Sequence, residues 1–153
     1  MNFMNEAIEE SRKNLSTGHG GPFGAVVVKD GVIVGRGHNE VIKNNDPTCH
    51  GEMQAIRDAC RHLGTYDLSG CVLYTSAQPC PMCLSAIIWA NIKTVYYGCS
   101  AEDAANIGFR DDAIYDFIKN NCTDVQTMEL HQLDRDKALP VFEEYKKKQM
   151  TIY

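Results

Sequence analysis

Two short runs in this chain have residue types and spacing that could do chemistry: Cys49-His50-Gly51-Glu52 and, about thirty positions later, Pro79-Cys80-Pro81-Met82-Cys83. One imidazole and two thiolates, from His50, Cys80 and Cys83, make three ligands for a zinc ion. The fourth tetrahedral position is then left to water, whereas structural zinc sites usually close all four. Glu52, two residues beyond His50, can stand beside that water as a proton carrier without ligating the metal.

The spacing can be tested against helix geometry. Cys80 and Cys83 are i and i+3, about 60° apart around a helix, so both sulfurs can face one ion. Pro81 suits the first helical position. The cysteines would then sit at a helix N-terminus, where the dipole and free N–H groups favour thiolate over thiol. His50 and Glu52 are about 200° apart on a helix, so they can flank one metal only if His50 lies at the helix entrance. Asp46-Pro47-Thr48 is turn-like, and Met53, Ile56, Ala59, Cys60 and Leu63 keep a helical period after it, which allows this. A C-x-x-C by itself also fits structural zinc or a redox pair. A closed three-cysteine site could draw on Cys49, Cys71 or Cys99. The joint pattern, with a proline before the first cysteine, points to an open catalytic zinc site, one per subunit.

Other elements must position these runs. Met4 to Leu15 reads as an amphipathic helix and residues 16–22 as a loop. Ala25–Lys29 and Val32–Gly35 are strands joined by the hairpin signal Asp30-Gly31. Cys71–Thr75 is a third strand running into Pro79, a helix spans Pro81–Ala90, and Thr94–Tyr97 is a fourth strand. Thr127–Leu130 reads as a weaker fifth, and Asp136–Gln149 as a final helix. Strands alternate with helices after the hairpin, so the expectation is an α/β fold, a three-layer α/β/α sandwich around a mixed sheet of about five strands. In such sheets, sites form beyond the strand ends where helices begin, which is where both metal runs fall. The glycines between Gly18 and Gly24 precede a strand instead of following one, so a dinucleotide-binding loop is excluded.

The 153 residues fit one domain, expected over 1–153. No apolar run approaches membrane-spanning length and no signal peptide is visible, so a soluble, cytoplasmic chain without a membrane partner is expected. Seven cysteines, an odd number, argue against a disulfide framework and agree with a reducing compartment. The net charge of −5 weighs against a nucleic-acid partner, and the one basic run, Lys146-Lys147-Lys148, reads as a solvated helix face.

Over essentially its whole length the chain resembles the cytidine deaminase-like superfamily, and within it the small bacterial guanine deaminases. The likeness rests on the two metal runs, on residues 20–27 (Gly-Gly-Pro-Phe-Gly-Ala-Val-Val), on Asn45–Thr48, on Asp103-Ala104-Ala105 with Gly108-Phe109, and on the terminal Thr151-Ile152-Tyr153. The resemblance implies that a zinc-activated water attacks the amine-bearing C2 of guanine while Glu52 shuttles the proton, giving xanthine and ammonia. It also implies that Asn39 hydrogen-bonds the base, Phe23 stacks on it, and Asp111 is a second acid that contacts the amino group. Tyr153 would close the pocket of a neighbouring subunit in a domain-swapped homodimer. Alternative structural roles are a turn for Asn39, a helix N-cap for Asp111 and a loose terminus for Tyr153. Two departures bear on substrate choice: Gly51 stands where alanine is usual, and Ala77-Gln78 where Cys-Glu is common. The competing functions are deamination of another free base or nucleoside (cytosine, adenine, guanosine), deamination of tRNA adenosine, and an inactive zinc scaffold.

Overall fold

The Asp30-Gly31 hairpin is formed in a computed structural model that describes residues 1–153. Asp30 and Gly31 both have positive φ, 50° and 75°, which the tight hairpin turn requires and aspartate and glycine tolerate. In chain order the elements are α1 (Phe3–Arg12), α2 (Asn14–Thr17), β1 (Gly24–Lys29), β2 (Val32–His38), α3 (Val41–Asn44) and α4 (Gly51–Leu63). They continue with β3 (Val72–Ala77), α5 (Pro81–Trp89), β4 (Thr94–Cys99), α6 (Ala101–Asn106), α7 (Asp111–Lys119) and α8 (Arg135–Lys147). Two compact units are present, Met1–Tyr115 and Asp116–Tyr153.

In the first unit the sheet runs in the order β2-β1-β3-β4. β1 pairs antiparallel with both β2 and β3, and β3 pairs parallel with β4, so the sheet is mixed as expected. Side chains of β1 alternate between two cores. Ala25 and Val27 join Val34, Ala55, Ala59, Leu73 and Ile87 on the face covered by α4 and α5, and Val26 and Val28 join Ala7 of α1 on the other. Burying each of the larger aliphatic side chains contributes about 1.5–3 kcal/mol, so both faces of β1 hold the layers together. α4 lies close against β2: a Cβ on Gly35 would come within 2.4 Å of the Ala55 carbonyl oxygen.

Four strands form, not about five. Thr127–Leu130 belongs to no strand, because Asp124 ties the segment into a turn: its carbonyl accepts from Thr127 N (3.1 Å) and its carboxylate from Thr127 Oγ1 (3.0 Å). The expected first helix is interrupted at Lys13 and resumes as α2, and α3, α6 and α7 are short helices the apolar periodicity does not announce. In the second unit no residue is buried; α8 begins after Asp134 and contains Pro140. No helix of the chain is long and apolar enough to cross a membrane.

Candidate active site

His50 is the residue that caps the N-terminus of α4, with extended backbone angles (φ −69°, ψ 160°). It therefore lies at the helix entrance, the one place from which it and Glu52 can face the same point. Cys80 caps α5 in the same way, with Pro81 following at the first helical position and Cys83 one turn in. Two helix N-termini thus converge beyond the sheet edge where β3 ends.

The three side chains meet there. His50 Nδ1 lies 3.5 Å from Cys80 Sγ and 3.6 Å from Cys83 Sγ, and all three ligand atoms fall within 4.8 Å of one another. With Zn–S bonds of about 2.3 Å and Zn–N bonds of about 2.0–2.1 Å at tetrahedral angles, sulfur and nitrogen are held about 3.5 Å apart. The donor set and its spacing fit zinc, and the two sulfurs are almost fully buried. Without the ion the thiols share charge unequally. A hydrogen bond from the Cys83 thiol, assisted by His50, draws Cys80 down to about 4, and the same bond together with burial pushes Cys83 up. The Cys80 thiolate in turn raises His50. With a divalent ion bound, Cys80 and Cys83 would both be held as thiolates in place of that shared proton.

Glu52 is buried, at 5% exposure, on the second residue of α4. Desolvation pushes its carboxyl above the ordinary carboxylate range, opposed by hydrogen bonds from Cys83 and Thr75. Its Oε1 lies 2.7 Å from Thr75 Oγ1, which is also 3.0 Å from the Ala77 carbonyl oxygen.

These groups open onto a cavity of about 600 Å³. Its walls bring together His50, Cys80 and Glu52 with Phe23, Asn39 and Asp111, all singled out from sequence. Phe23 meets Phe109 edge to face, with ring centroids 4.8 Å apart. Asn39 is buried and its Oδ1 accepts from Val41 N (3.0 Å), so it shapes the turn into α3 and lines the cavity at once. Asp111 is the first residue of α7, and burial raises its carboxyl. Tyr153 is in the second unit and exposed. Gln78, at the departure Ala77-Gln78, lines the cavity and uses its Oε1 to accept from Ala101 N at the start of α6 (3.1 Å). At the other departure, a Cβ on Gly51 would meet Gly24 Cα and the Phe23 carbonyl oxygen at 3.1 Å, so the helix start is pressed against the beginning of β1.

Three residues at the site escaped the sequence reading: Thr75, Tyr115, whose hydroxyl donates to the Pro79 carbonyl, and Arg110 in the cavity wall. Thr75 carried one usable signal, a hydroxyl on the strand that leads into the metal run. The other two carried none.

Fold and site define a zinc-dependent deaminase, and the chain belongs to the cytidine and deoxycytidylate deaminase family, whose zinc-binding region matches residues 1–99. More particularly, it is 44% identical over 144 residues to a guanine deaminase of Bacillus subtilis, covering 94% of this chain and 92% of that one. An X-ray structure of a guanine deaminase from Bacillus subtilis superposes with a TM-score of 0.87, at 44% identity, over 96% of this chain and 95% of the other. A guanine deaminase from Nitrosomonas europaea aligns with a TM-score of 0.68 at 33% identity, over 71% of this chain and 63% of that one. The tRNA-specific adenosine deaminase of Aquifex aeolicus is 41% identical over 95 residues, 62% of each chain.

Proposed function

We propose that this chain hydrolyses guanine to xanthine and ammonia. The observation that carries the reading is the meeting of an open three-ligand metal set, a buried Glu52 and a cavity lined by Phe23, Asn39 and Asp111. Likeness to guanine deaminases over nearly the whole chain supports the choice of base.

His50, Cys80 and Cys83 would hold zinc, which would supply Lewis acidity to activate a water. Two thiolates cancel its charge and moderate that effect, so Glu52 has to take the water proton as the oxygen bonds to C2 of the base. Glu52 then returns the proton to the neighbouring ring nitrogen, and C2 becomes tetrahedral. Next, Glu52 carries the proton of the new C2 hydroxyl to the amino nitrogen, which Asp111 contacts; the C2–N bond breaks, ammonia leaves and a new carbonyl forms at C2. Phe23 stacks on the base and Asn39 hydrogen-bonds its edge.

The catalytic chain acts as a single deaminase domain over 1–153 in a homodimer, with the C-terminal segment exchanged between copies so that Tyr153 closes the partner's pocket. Support comes from the second unit itself, which buries no residue while exposing Met128, Leu130, Val141, Phe142 and Ile152. So short a segment without a core needs apolar surface supplied from elsewhere. A cytoplasmic location fits the seven free cysteines.

The test is ammonia release by zinc-loaded protein from guanine, guanosine, adenine, cytosine, cytidine and a tRNA anticodon arm, beside Glu52→Gln. Turnover of guanine alone, lost in Glu52→Gln with zinc retained, is expected. Turnover of another substrate moves the error to the pocket around Asn39, Gln78 and Asp111. Zinc content without ammonia from any of them overturns the enzymatic reading.

A further inference from the structure

His19, in the loop after α2, and His38, at the end of β2, turn their rings toward each other, with His19 Nδ1 3.2 Å from His38 Nε2. A carboxylate oxygen of Glu40, the residue before α3, completes a group whose ligand atoms lie within 4.8 Å of one another. We propose that His19, His38 and Glu40 form a second metal site, separate from the cysteine-bearing one, for a divalent transition ion of the zinc, cobalt and nickel class.

The geometry of the two imidazoles carries the argument. Metal–nitrogen bonds of about 2.0–2.1 Å at tetrahedral angles hold two nitrogens about 3.3–3.4 Å apart, close to the spacing already present. The far side of His38 is also prepared: its Nδ1 lies 3.5 Å from Oε2 of Glu10, whose side chain is 5% exposed. A buried carboxylate on the Nδ1 side of a histidine favours the tautomer with the proton on Nδ1 and leaves Nε2 to face His19, the arrangement behind metal-ligating histidines. Glu10 is itself held by Lys13 at 2.9 Å and by Arg36 at 3.9 Å. His19 is anchored through its carbonyl, which accepts from Ile42 N (2.9 Å) and Lys43 N (3.0 Å). A polar cavity of about 240 Å³ borders His38 and Glu40; Arg36, Arg57 and Arg61 also stand in its walls, and His19 lies outside them.

The choice of ion follows from the donors. Two imidazoles and one carboxylate suit zinc, cobalt or nickel; an all-oxygen cation such as calcium would want more carboxylates. Competition sets the strength. Lys43 Nζ lies 3.1 Å from Glu40 Oε2, and Gln54 donates to Oε1 at 3.2 Å, so the ion must share a carboxylate oxygen with one of them. Binding is therefore weaker than at the two thiolates, and chelators remove this ion first.

An ion here would clamp the loop at residues 18–22 to the turn between β2 and α3. These segments already touch, since a Cβ on Gly20 would overlap Asn39 Oδ1 at 2.0 Å. Both contribute to the wall of the larger cavity, through Gly20, Gly21, Asn39, Val41 and Ile42. The site itself stands independently of which base that cavity takes.

Cobalt(II) titrated into untagged, metal-free protein tests the proposal. The first equivalent should bring an intense thiolate-to-cobalt charge-transfer band, and the second only weak ligand-field bands. His19→Gln, a change at a half-buried loop position that leaves its backbone hydrogen bonds intact, and Glu40→Gln should each lose the second equivalent and keep the first. Cys80→Ser/Cys83→Ser should keep only the weak bands. Saturation of the wild type at one equivalent overturns the proposal, as does a second equivalent unchanged in both His19→Gln and Glu40→Gln.

Discussion

Thr75 is the buried partner on which Glu52 depends, and replacing it by valine isolates that dependence. The hydroxyl lies within hydrogen-bond distance of both Glu52 Oε1 and the Ala77 carbonyl, yet it has one proton to give. It donates to Glu52 when the carboxylate is charged. When Glu52 carries the proton, the carboxyl can donate to Thr75 Oγ1 and the hydroxyl turns to Ala77. The pair stays satisfied in both states of a proton carrier, with no rearrangement beyond a hydroxyl rotation. Thr75→Val keeps the β-branched shape that β3 favours and removes both options. A hydrogen bond to a charged group contributes about 1.5–3 kcal/mol, which corresponds to about 10- to 150-fold in kcat/KM at about 1.4 kcal/mol per tenfold. Ammonia release should fall by that factor with the zinc content unchanged, and Thr75→Ser should recover most of it. In a Glu52→Gln background the same Thr75→Val change should add little, because the two residues act as one unit. A lower Tm with unchanged kcat/KM in Thr75→Val would refute the reasoning and leave Thr75 a packing residue.

Cys83→Ala removes a fully buried ligand, so metal analysis after dialysis should find the cysteine-bearing site empty and ammonia release abolished. Gly35→Ala should destabilise the fold by about 1–3 kcal/mol or more in chemical denaturation, because its Cβ would press on the backbone of α4 at Ala55 and Ala59, which cannot rotate aside. For pH, Asp46 is held below the ordinary aspartate value first by its hydrogen bond from the Thr48 hydroxyl and then by the Thr48 N–H. A depressed carboxyl contributes stability that is present above its unfolded value of 3.8 and is lost as pH falls through the lower, folded one. Metal-free wild type should therefore lose Tm below that value more steeply than Asp46→Asn, and equal slopes would remove Asp46 from the turn that leads to His50.

The sequence was most legible where one local rule decides the outcome. Asp30-Gly31 marked the hairpin because few residue pairs accept positive φ twice in succession. Pro81 marked the start of α5 because proline lacks the N–H that a first helical position leaves unpaired. His50 was legible by contradiction: only a residue at the helix entrance could share a metal with a glutamate two positions on, and its extended backbone angles are what that argument required. Thr75 was illegible because its importance comes from a register. Thr75 sits opposite Ala25 across the sheet, and α4 lies over β1 and β2, so the approach of Glu52 depends on three elements distant in sequence.

Residues 116–153 mark the opposite limit. The helical period of residues 136–149 was readable and α8 forms, yet the period says only that an apolar face exists, not what covers it. Thr127–Leu130 had the composition of a strand, but a strand needs a neighbour with free backbone groups, and Asp124 had already taken the donors of Thr127 for a turn. Both failures have the same cause: local sequence specifies a surface, and only a partner surface makes it a core. That partner is absent from the unit itself, where every residue keeps some access to solvent. An unpartnered apolar segment is costly to leave in water, and that cost is the physical ground for the exchange between two copies proposed above.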